Sequence, residues 1–286
     1  MRSDVQRLIK QALREDRASA DITSRAVIPP NLRIRARVIA KSRGVAAGVK
    51  TAALTFTAFD PSLRCRIRLH SGASLAPGKT ILTVEGRARS IFAAERVALN
   101  FLGHLSGIAT LTNQFVRQVR GTRAKILDTR KTLPGLRVLE KYAVRVGGGN
   151  NHRRDLSDAV LIKTNHLKAM GQGAGDRGRG KTELIQQAVT QAKRRNPGKF
   201  IEIEVTNLTE FRAALAARPN AILLDNWDVR DIRQAVRLRS TSPLLEVSGG
   251  VTLQNVRRIA KTGVDRISIG RLTHSAPALN VSLEVI

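Results

Sequence analysis

Residues 199–226 read KFIEIEVTNLTEFRAALAARPNAILLDN. Two short apolar runs, at 200–205 and 221–224, lie on either side of a stretch with helical spacing at 208–217. Apolar runs of this length are typical of buried strands. A strand, a helix and a second strand in this order predict a β-α-β unit, which joins parallel strands by a right-handed crossover.

The same rhythm recurs from Gly121 onward. Each apolar run is followed by a polar cluster and then by a helical stretch, such as 181–195, 228–239 or 252–262. The runs are Ala124–Leu127, Ala159–Ile162, Phe200–Val205, Ala221–Leu224, Leu244–Val247 and Arg266–Ile269. So many units in so short a chain favour a small α/β barrel over an open sheet, although periodicity alone leaves closure undecided.

The first part of the chain has a different pattern. Residues 2–14 predict an amphipathic helix, and a helical stretch lies near 48–58. Alternating or short β-like runs lie at 32–40, 64–69 and 80–84. This pattern predicts an α+β region whose sheet is polar on one face. From Ser90 to about Arg120 the period becomes helical, with an apolar stripe formed by Ile91, Ala94, Ala98, Leu102, Leu105 and Ile108.

Composition excludes several classes of protein. The single cysteine, Cys65, excludes a disulfide framework and a cysteine-based zinc site. No apolar run is long enough to span a bilayer, and the N-terminus shows no signal-peptide core, so the expected location is a reducing cytoplasm. A net charge of +28 suggests nucleic acid, but the arginines are dispersed and only 7 Phe, 1 Trp and 1 Tyr are present for base stacking. Anionic small substrates are a second explanation for part of the charge.

Polar residues follow each predicted strand. In a parallel barrel the carboxyl ends of the strands meet at one mouth, where active sites lie. The residues at these ends are Asp128, Thr129, Arg130, Lys131, Lys163, Glu204, Asp225, Asn226, Ser248, Gly249, Gly250 and Gly270. Glycine turns ahead of helices bind phosphate, carboxylates suit Mg²⁺, and Arg and Lys bind carboxylate and phosphate. By contrast, the GxGxxG spacing at 173–178 lies about ten residues after its strand, so a dinucleotide site is not expected there.

Several blocks of the sequence resemble one known family, quinolinate phosphoribosyltransferase. They run in family order along nearly the whole chain. The blocks are 21–24, 95–102, 105–110, 128–137, 140–144, 147–149, 151–153, 161–163, 165–166, 203–205, 224–226, 248–250, 263–265 and 272–275. The resemblance implies a type II phosphoribosyltransferase with an N-terminal α/β sandwich domain (1–106, joined by the C-terminal segment 275–286) and an incomplete α/β barrel (107–274). It also implies transfer of phosphoribosyl from phosphoribosyl pyrophosphate (PRPP) to quinolinate with loss of CO₂.

The resemblance assigns roles to individual residues. It implies that Arg130, His152 and Arg153 hold the quinolinate carboxylates, and that Arg96 comes from the neighbouring subunit of a homodimer. It implies that Glu204 and Asp225 contact the PRPP ribose and Mg²⁺ and are catalytic together with Lys131 and Lys163. The remaining substrate-binding positions are Thr129, Ser248, Gly249, Gly250, Ile269, Gly270 and Arg271.

The sequence departs from the family pattern at a few positions. Thr164 stands where an Asp is usual, Arg271 where a small residue is usual, and Asn280 where an Asp is common. Arg154-Asp155 replaces a hydrophobe-Gly pair. Two alternatives remain open at this point: a related phosphoribosyltransferase-like protein of the molybdenum-associated type, and a basic nucleic-acid-binding protein on the same fold.

Overall fold

The structure is a computed structural model that describes residues 2–172 and 180–286. The GxGxxG spacing at 173–178 lies outside the described residues. In chain order the elements are α1 (Arg2–Glu15), a 3₁₀ turn (Ala18–Ala20), α2 (Ile22–Val27), β1 (Arg33–Ala40), β2 (Gly44–Val45), α3 (Val49–Phe59), β3 (Arg64–Ile67), β4 (Ser74–Leu75), β5 (Thr80–Arg87), α4 (Ala88–Gln118), β6 (Lys125–Leu127), α5 (Arg137–Val146), β7 (Val160–Ile162), α6 (Thr164–Gly171), α7 (Lys181–Arg195), β8 (Ile201–Val205), α8 (Leu208–Ala217), β9 (Ala221–Asp225), α9 (Val229–Leu238), β10 (Leu244–Ser248), α10 (Val256–Ala260), β11 (Arg266–Ser268), α11 (Arg271–His274) and β12 (Val281–Val285).

The chain forms two compact units. The first comprises residues 1–113, 131–149 and 271–286, and the second comprises 114–130 and 150–270. Residues 131–149, which the sequence analysis places in the barrel domain, have contacts in the first unit: the Thr273 hydroxyl donates to the Lys131 carbonyl (2.6 Å), and an added Cβ on Gly147 would lie 2.4 Å from the Ala109 carbonyl oxygen. The domain boundaries given by the sequence stay a prediction.

The first unit contains an antiparallel sheet in the order β12-β1-β5-β3. The sequence predicts a sheet that is polar on one face, but only the first half of β1 alternates, and its last residues, Val38–Ala40, are all buried. A register irregularity between Val38 and Ile39 in the pairing of β1 with β5 interrupts the alternation at this point.

Helix α4 supplies much of the core of the first unit. All six residues of its predicted apolar stripe, from Ile91 to Ile108, are fully buried. Two glycines of α4 allow the C-terminal segment to approach closely: the Leu279 N–H donates to the Gly103 carbonyl (2.9 Å), and an added Cβ on Gly107 would lie 2.1 Å from the Pro277 carbonyl oxygen.

The second unit contains a six-stranded parallel sheet in the order β6-β11-β10-β9-β8-β7. All six predicted apolar runs contribute a strand to it, and α7 and α8 have the predicted bounds. Asn207 and Asp228 cap α8 and α9 by accepting hydrogen bonds from Glu210 N–H (3.0 Å) and Asp231 N–H (2.9 Å). The expected fold, an incomplete α/β barrel with a sandwich domain, is confirmed. Within 2–172 and 180–286, no helix is long and apolar enough to cross a membrane.

Candidate active site

The carboxyl edge of the six-stranded sheet gathers most of the predicted site residues. Thr129 and Arg130 follow β6, Lys163 follows β7, and Ile269 and Gly270 follow β11. Asp225 and Ser248 are the last residues of β9 and β10 and are directly opposite in register. Three other predicted residues, Arg96, Lys131 and Arg271, belong to the first unit, where Arg96 is exposed on α4.

Glu204 lies inside β8 rather than after it, and it is held by the start of α6. Its Oε1 accepts hydrogen bonds from the Thr164 backbone N–H (3.2 Å) and from the Thr164 hydroxyl, and its Oε2 accepts one from Lys163 Nζ (3.3 Å). Burial raises the pKa of Glu204, but the donors from Thr164 and Lys163 outweigh it and hold that pKa below the usual range. Glu204 is therefore an ionised, oriented carboxylate at neutral pH.

The turn that carries Lys163 is itself fixed by a local hydrogen bond. The Lys163 N–H donates to His166 Nδ1 (2.9 Å), and the His166 N–H donates to the Lys163 carbonyl (2.8 Å). This reciprocal pairing resembles a capping box, with His in place of the usual Glu or Gln. The lysine backbone is thus anchored while its side chain, 51% exposed, contacts Glu204.

Asp225 and the glycine turn after β10 pack tightly together. The Asn226 amide donates to Asp225 Oδ2 (3.1 Å), and the Asn226 N–H donates to the Ser248 carbonyl (2.9 Å). Gly249 has φ +88°, and a Cβ there would lie 2.1 Å from Asn226 Oδ1. Only glycine fits both the backbone conformation and the space at this position.

His152 lies against two carboxylates in the interior of the second unit. Its Nε2 is 2.9 Å from Glu202 Oε2 and 3.4 Å from Glu246 Oε1. Burial lowers the pKa of His152, but the two carboxylates outweigh it and raise this pKa to about 10. The Arg153 N–H donates to His152 Nδ1 (2.8 Å), and this contact disfavours a proton on Nδ1. The two buried carboxylates beside Nε2 favour the doubly protonated ring more strongly than this one amide contact disfavours it. The ring is thus oriented by partners on both nitrogens.

Glu202 and Glu246 are not among the residues predicted from the sequence. Both are fully buried, and the pKa of Glu202 is raised, first by burial and then by the charge of Glu246. Their signal in the sequence is the alternation I-E-I-E-V at 201–205, which places Glu202 and Glu204 on the same face of β8. Among the described residues, His152, Glu202 and Glu246 are the one group of three His, Cys, Asp or Glu side chains whose ligand atoms lie within 4.8 Å of one another, close enough to hold a metal ion.

Positive charges lie close together beside this cluster. Arg153 donates to the Ala159 carbonyl (3.0 Å), and its pKa is lowered by burial and by the charge of Arg130, with Glu202 acting in the opposite direction. Asp128, fully buried, accepts a hydrogen bond from the His152 N–H (2.9 Å) and ties the two chain segments together. Two guanidinium groups that repel each other favour an anion between them.

Comparisons with known proteins identify relatives over nearly the whole chain. Residues 21–106 match the N-terminal domain and residues 108–284 the C-terminal domain of quinolinate phosphoribosyl transferase. Nicotinate-nucleotide pyrophosphorylase [carboxylating] of Mycobacterium leprae is 42% identical over 97% of this chain and 95% of its own length. A protein of Bacillus subtilis described as probably the same enzyme is 37% identical over 98% of this chain and 93% of its own length.

A solved structure shows the same fold. The structure of the nicotinate-nucleotide pyrophosphorylase from Francisella tularensis has a TM-score of 0.90 to this chain at 37% identity, and it covers 100% of this chain and 97% of that one. The match extends over both domains and is therefore not limited to a shared barrel. The chain belongs to the quinolinate phosphoribosyl transferase family.

Proposed function

We propose that this chain transfers the phosphoribosyl group of PRPP to the ring nitrogen of quinolinate, with release of pyrophosphate and CO₂, to give nicotinate mononucleotide for NAD biosynthesis. The single observation that carries the proposal is the concentration of opposite charges at one sheet edge. Arg130 and Arg153 crowd each other on one side, and the ionised Glu204 contacts Lys163 on the other. This arrangement suits a dianionic pyridine beside a sugar that carries phosphate groups.

The chemistry needs little covalent participation by the protein. Arg130 and Arg153 bind the two quinolinate carboxylates, His152 adds the positive charge of its protonated ring beside them, and Lys131 and Lys163 contact substrate. When pyrophosphate leaves, the ribose develops positive charge, and the ionised Glu204 and Asp225 stabilise it through the ribose. The ribosylated ring nitrogen is cationic and stabilises the electron pair that stays on C2 when CO₂ leaves, and a proton from water then takes the vacated position, so no protein cofactor is needed. The residues therefore act by orientation and electrostatics.

Phosphate recognition falls to the turns at the ends of β10 and β11. Gly249 and Gly250 both have positive φ, and this conformation directs backbone N–H groups into the turn. Ser248, Thr129, Ile269, Gly270 and Arg271 complete the proposed substrate contacts.

The donor set fits Mg²⁺. Glu204 and Asp225 lie on neighbouring strands and offer hard carboxylate oxygens, and Glu204 is ionised at neutral pH. Magnesium takes one or two protein carboxylates and leaves its other positions to water and substrate phosphates. When bound with PRPP, the ion would supply positive charge to the departing pyrophosphate.

The direct test uses quinolinate labelled in the carboxyl group at C2. With PRPP and Mg²⁺ the protein should release labelled CO₂, and omission of PRPP should abolish the release. Arg130→Ala should lower kcat/KM for quinolinate by roughly tenfold or more, because one charge-assisted pair contributes about 1.5–3 kcal/mol. PRPP-independent release, or a near-normal kcat/KM in the variant, would refute the assignment.

We also propose a homodimer in which Arg96 of one subunit completes the site of the other. Arg96 is exposed on α4, in a different compact unit from Arg130 and Arg153. Inactive Arg96→Ala and Arg130→Ala variants should regain activity when mixed under conditions of subunit exchange, because one mixed site carries both arginines. If exchange is demonstrated and no activity returns, sites shared between subunits are ruled out. The lone cysteine, Cys65, agrees with a reducing cytoplasm as the proposed location.

A further inference from the structure

The two carboxylate oxygens of Glu204 have different hydrogen-bond donors at the start of α6. Among the described residues, Oε1 accepts two hydrogen bonds, both from Thr164, and Oε2 accepts one, from Lys163 Nζ. A carboxylate has about four acceptor directions, two on each oxygen. Thr164 therefore saturates Oε1, and one direction is left on Oε2, next to the lysine.

The arrangement depends on the hydroxyl of Thr164 as well as on its backbone. The Thr164 N–H is the first amide of α6 and has no partner within the helix, so it would point towards Glu204 whatever the side chain. The hydroxyl adds a second donor from a different direction, which fixes the rotation of the carboxylate group. A single donor would leave the carboxylate free to turn about its last bond.

We propose that Thr164 is a positioning residue, which locks Oε1 of Glu204 and leaves Oε2 as a monodentate acceptor for one hydroxyl donor of the substrate. This inference rests on the proposed function, where the hydroxyl donor is a ribose hydroxyl of PRPP. Without Mg²⁺, an ionised carboxylate accepts hydrogen bonds and repels phosphate, so a sugar hydroxyl is the group that Oε2 recognises. When Mg²⁺ is bound with PRPP, the ion would take this same direction on Oε2. Lys163, on the same oxygen, neutralises the carboxylate charge near the phosphates.

The position of Thr164 makes substitution practicable. Its side chain is half-buried at the first turn of a helix, and the apolar contacts of α6 come from Leu167, which is fully buried. Thr164→Val keeps the shape and removes the hydroxyl, and Thr164→Ala removes it without the β-branch. Thr164→Ser keeps the hydroxyl and is the matched control.

The measurements separate PRPP binding from general damage. PRPP binding is measured by calorimetry without Mg²⁺, and the KM for PRPP is measured at saturating quinolinate. Thr164→Val and Thr164→Ala should raise both the Kd and the KM of PRPP at least fivefold, leave the KM of quinolinate within twofold, and change kcat less than KM. Thr164→Ser should stay within twofold of the unmodified protein on every measure.

Three results would overturn the inference. The first is PRPP binding in the hydroxyl-free variants that equals that of Thr164→Ser. The second is an equal loss for both substrates together with a lowered Tm. The third is failure of both hydroxyl-free variants to fold while Thr164→Ser folds, which would make the hydroxyl structural. If the unmodified protein neither binds PRPP nor releases CO₂, the proposed function itself falls, and this outcome is distinct from the other three.

Discussion

The glycine turn after β10 provides a test with a matched control. Gly249→Ala introduces a Cβ 2.1 Å from Asn226 Oδ1 and 3.0 Å from the Asn226 backbone nitrogen, at φ +88°. The Asn226 side chain can rotate away, but its backbone is held by the hydrogen bond to the Ser248 carbonyl (2.9 Å). Gly250→Ala is the control, because Gly250 also has positive φ (+59°) and has no atom within 4 Å of an added Cβ.

The free energies of unfolding of the two variants should differ only by the cost of the steric overlap at Gly249. A left-handed backbone costs an L-residue about 1–2 kcal/mol, and this cost applies to both. Overpacking adds about 1–3 kcal/mol at Gly249. We therefore expect Gly249→Ala to lower the free energy of unfolding by about 2–5 kcal/mol and Gly250→Ala by about 1–2 kcal/mol.

The single tryptophan makes the assay local. Trp227 follows Asn226, donates to the Val205 carbonyl (3.0 Å) and packs edge-on against Phe211 with ring centroids 6.1 Å apart. Urea unfolding followed by Trp227 fluorescence reports directly on this region. Equal stability of Gly249→Ala and Gly250→Ala, with equal dependence on urea, would refute the packing argument.

Three further predictions concern other parts of the fold. Asp265→Asn should lower the free energy of unfolding by about 3–5 kcal/mol in urea titrations, because it leaves Arg239, whose side chain is 3% exposed, without the negative charge it contacts; a loss below about 1 kcal/mol would contradict this. Gly107→Ala should lower Tm despite the higher helix propensity of Ala, because overlap with the Pro277 carbonyl outweighs a gain of about 1 kcal/mol. An unchanged or raised Tm would show that the segment around Pro277 moves aside without cost. The pKa of His152 is raised from 6.5 to about 10, so its stabilising contribution is complete below pH 6.5 and is lost as the pH rises towards 10. The free energy of unfolding, measured by urea titration at several pH values, should fall less steeply with pH in His152→Gln than in the unmodified protein. Equal pH slopes for the two proteins would contradict this assignment.

The strands of the second unit follow from a pattern that is visible in the sequence. Each apolar run is buried by helices on one side, and strand, helix and strand recur at short intervals, so β6 to β11 could be assigned. The inward face could not be predicted in the same way. Glu202 and Glu246 are fully buried beside His152, and an apolar reading of their strands misses them. The alternation of I and E in β8 was the available signal.

Contacts that join distant parts of the chain were harder to predict. The sequence marks Thr164 as a departure from the family pattern, but its hydrogen bonds to Glu204 depend on how β7 and β8 align. The helix α5 has no flanking signal as clear as those of α7 or α8, and it was not assigned. The sequence indicates which residues follow each strand, but it does not indicate which side chains of two different elements meet.

The pairing of β12 with β1 joins two strands that are far apart in the sequence. Ala36 pairs with Val285 and Ala40 with Val281, so β12, an edge strand of the first sheet, is synthesised after the whole second unit. During translation, the edge of β1 that pairs with β12 therefore stays unpaired until the whole barrel has been synthesised. Bringing the two ends together is a contact of very long sequence separation, which slows folding. Chaperone dependence and sensitivity to deletions should therefore concentrate at β12.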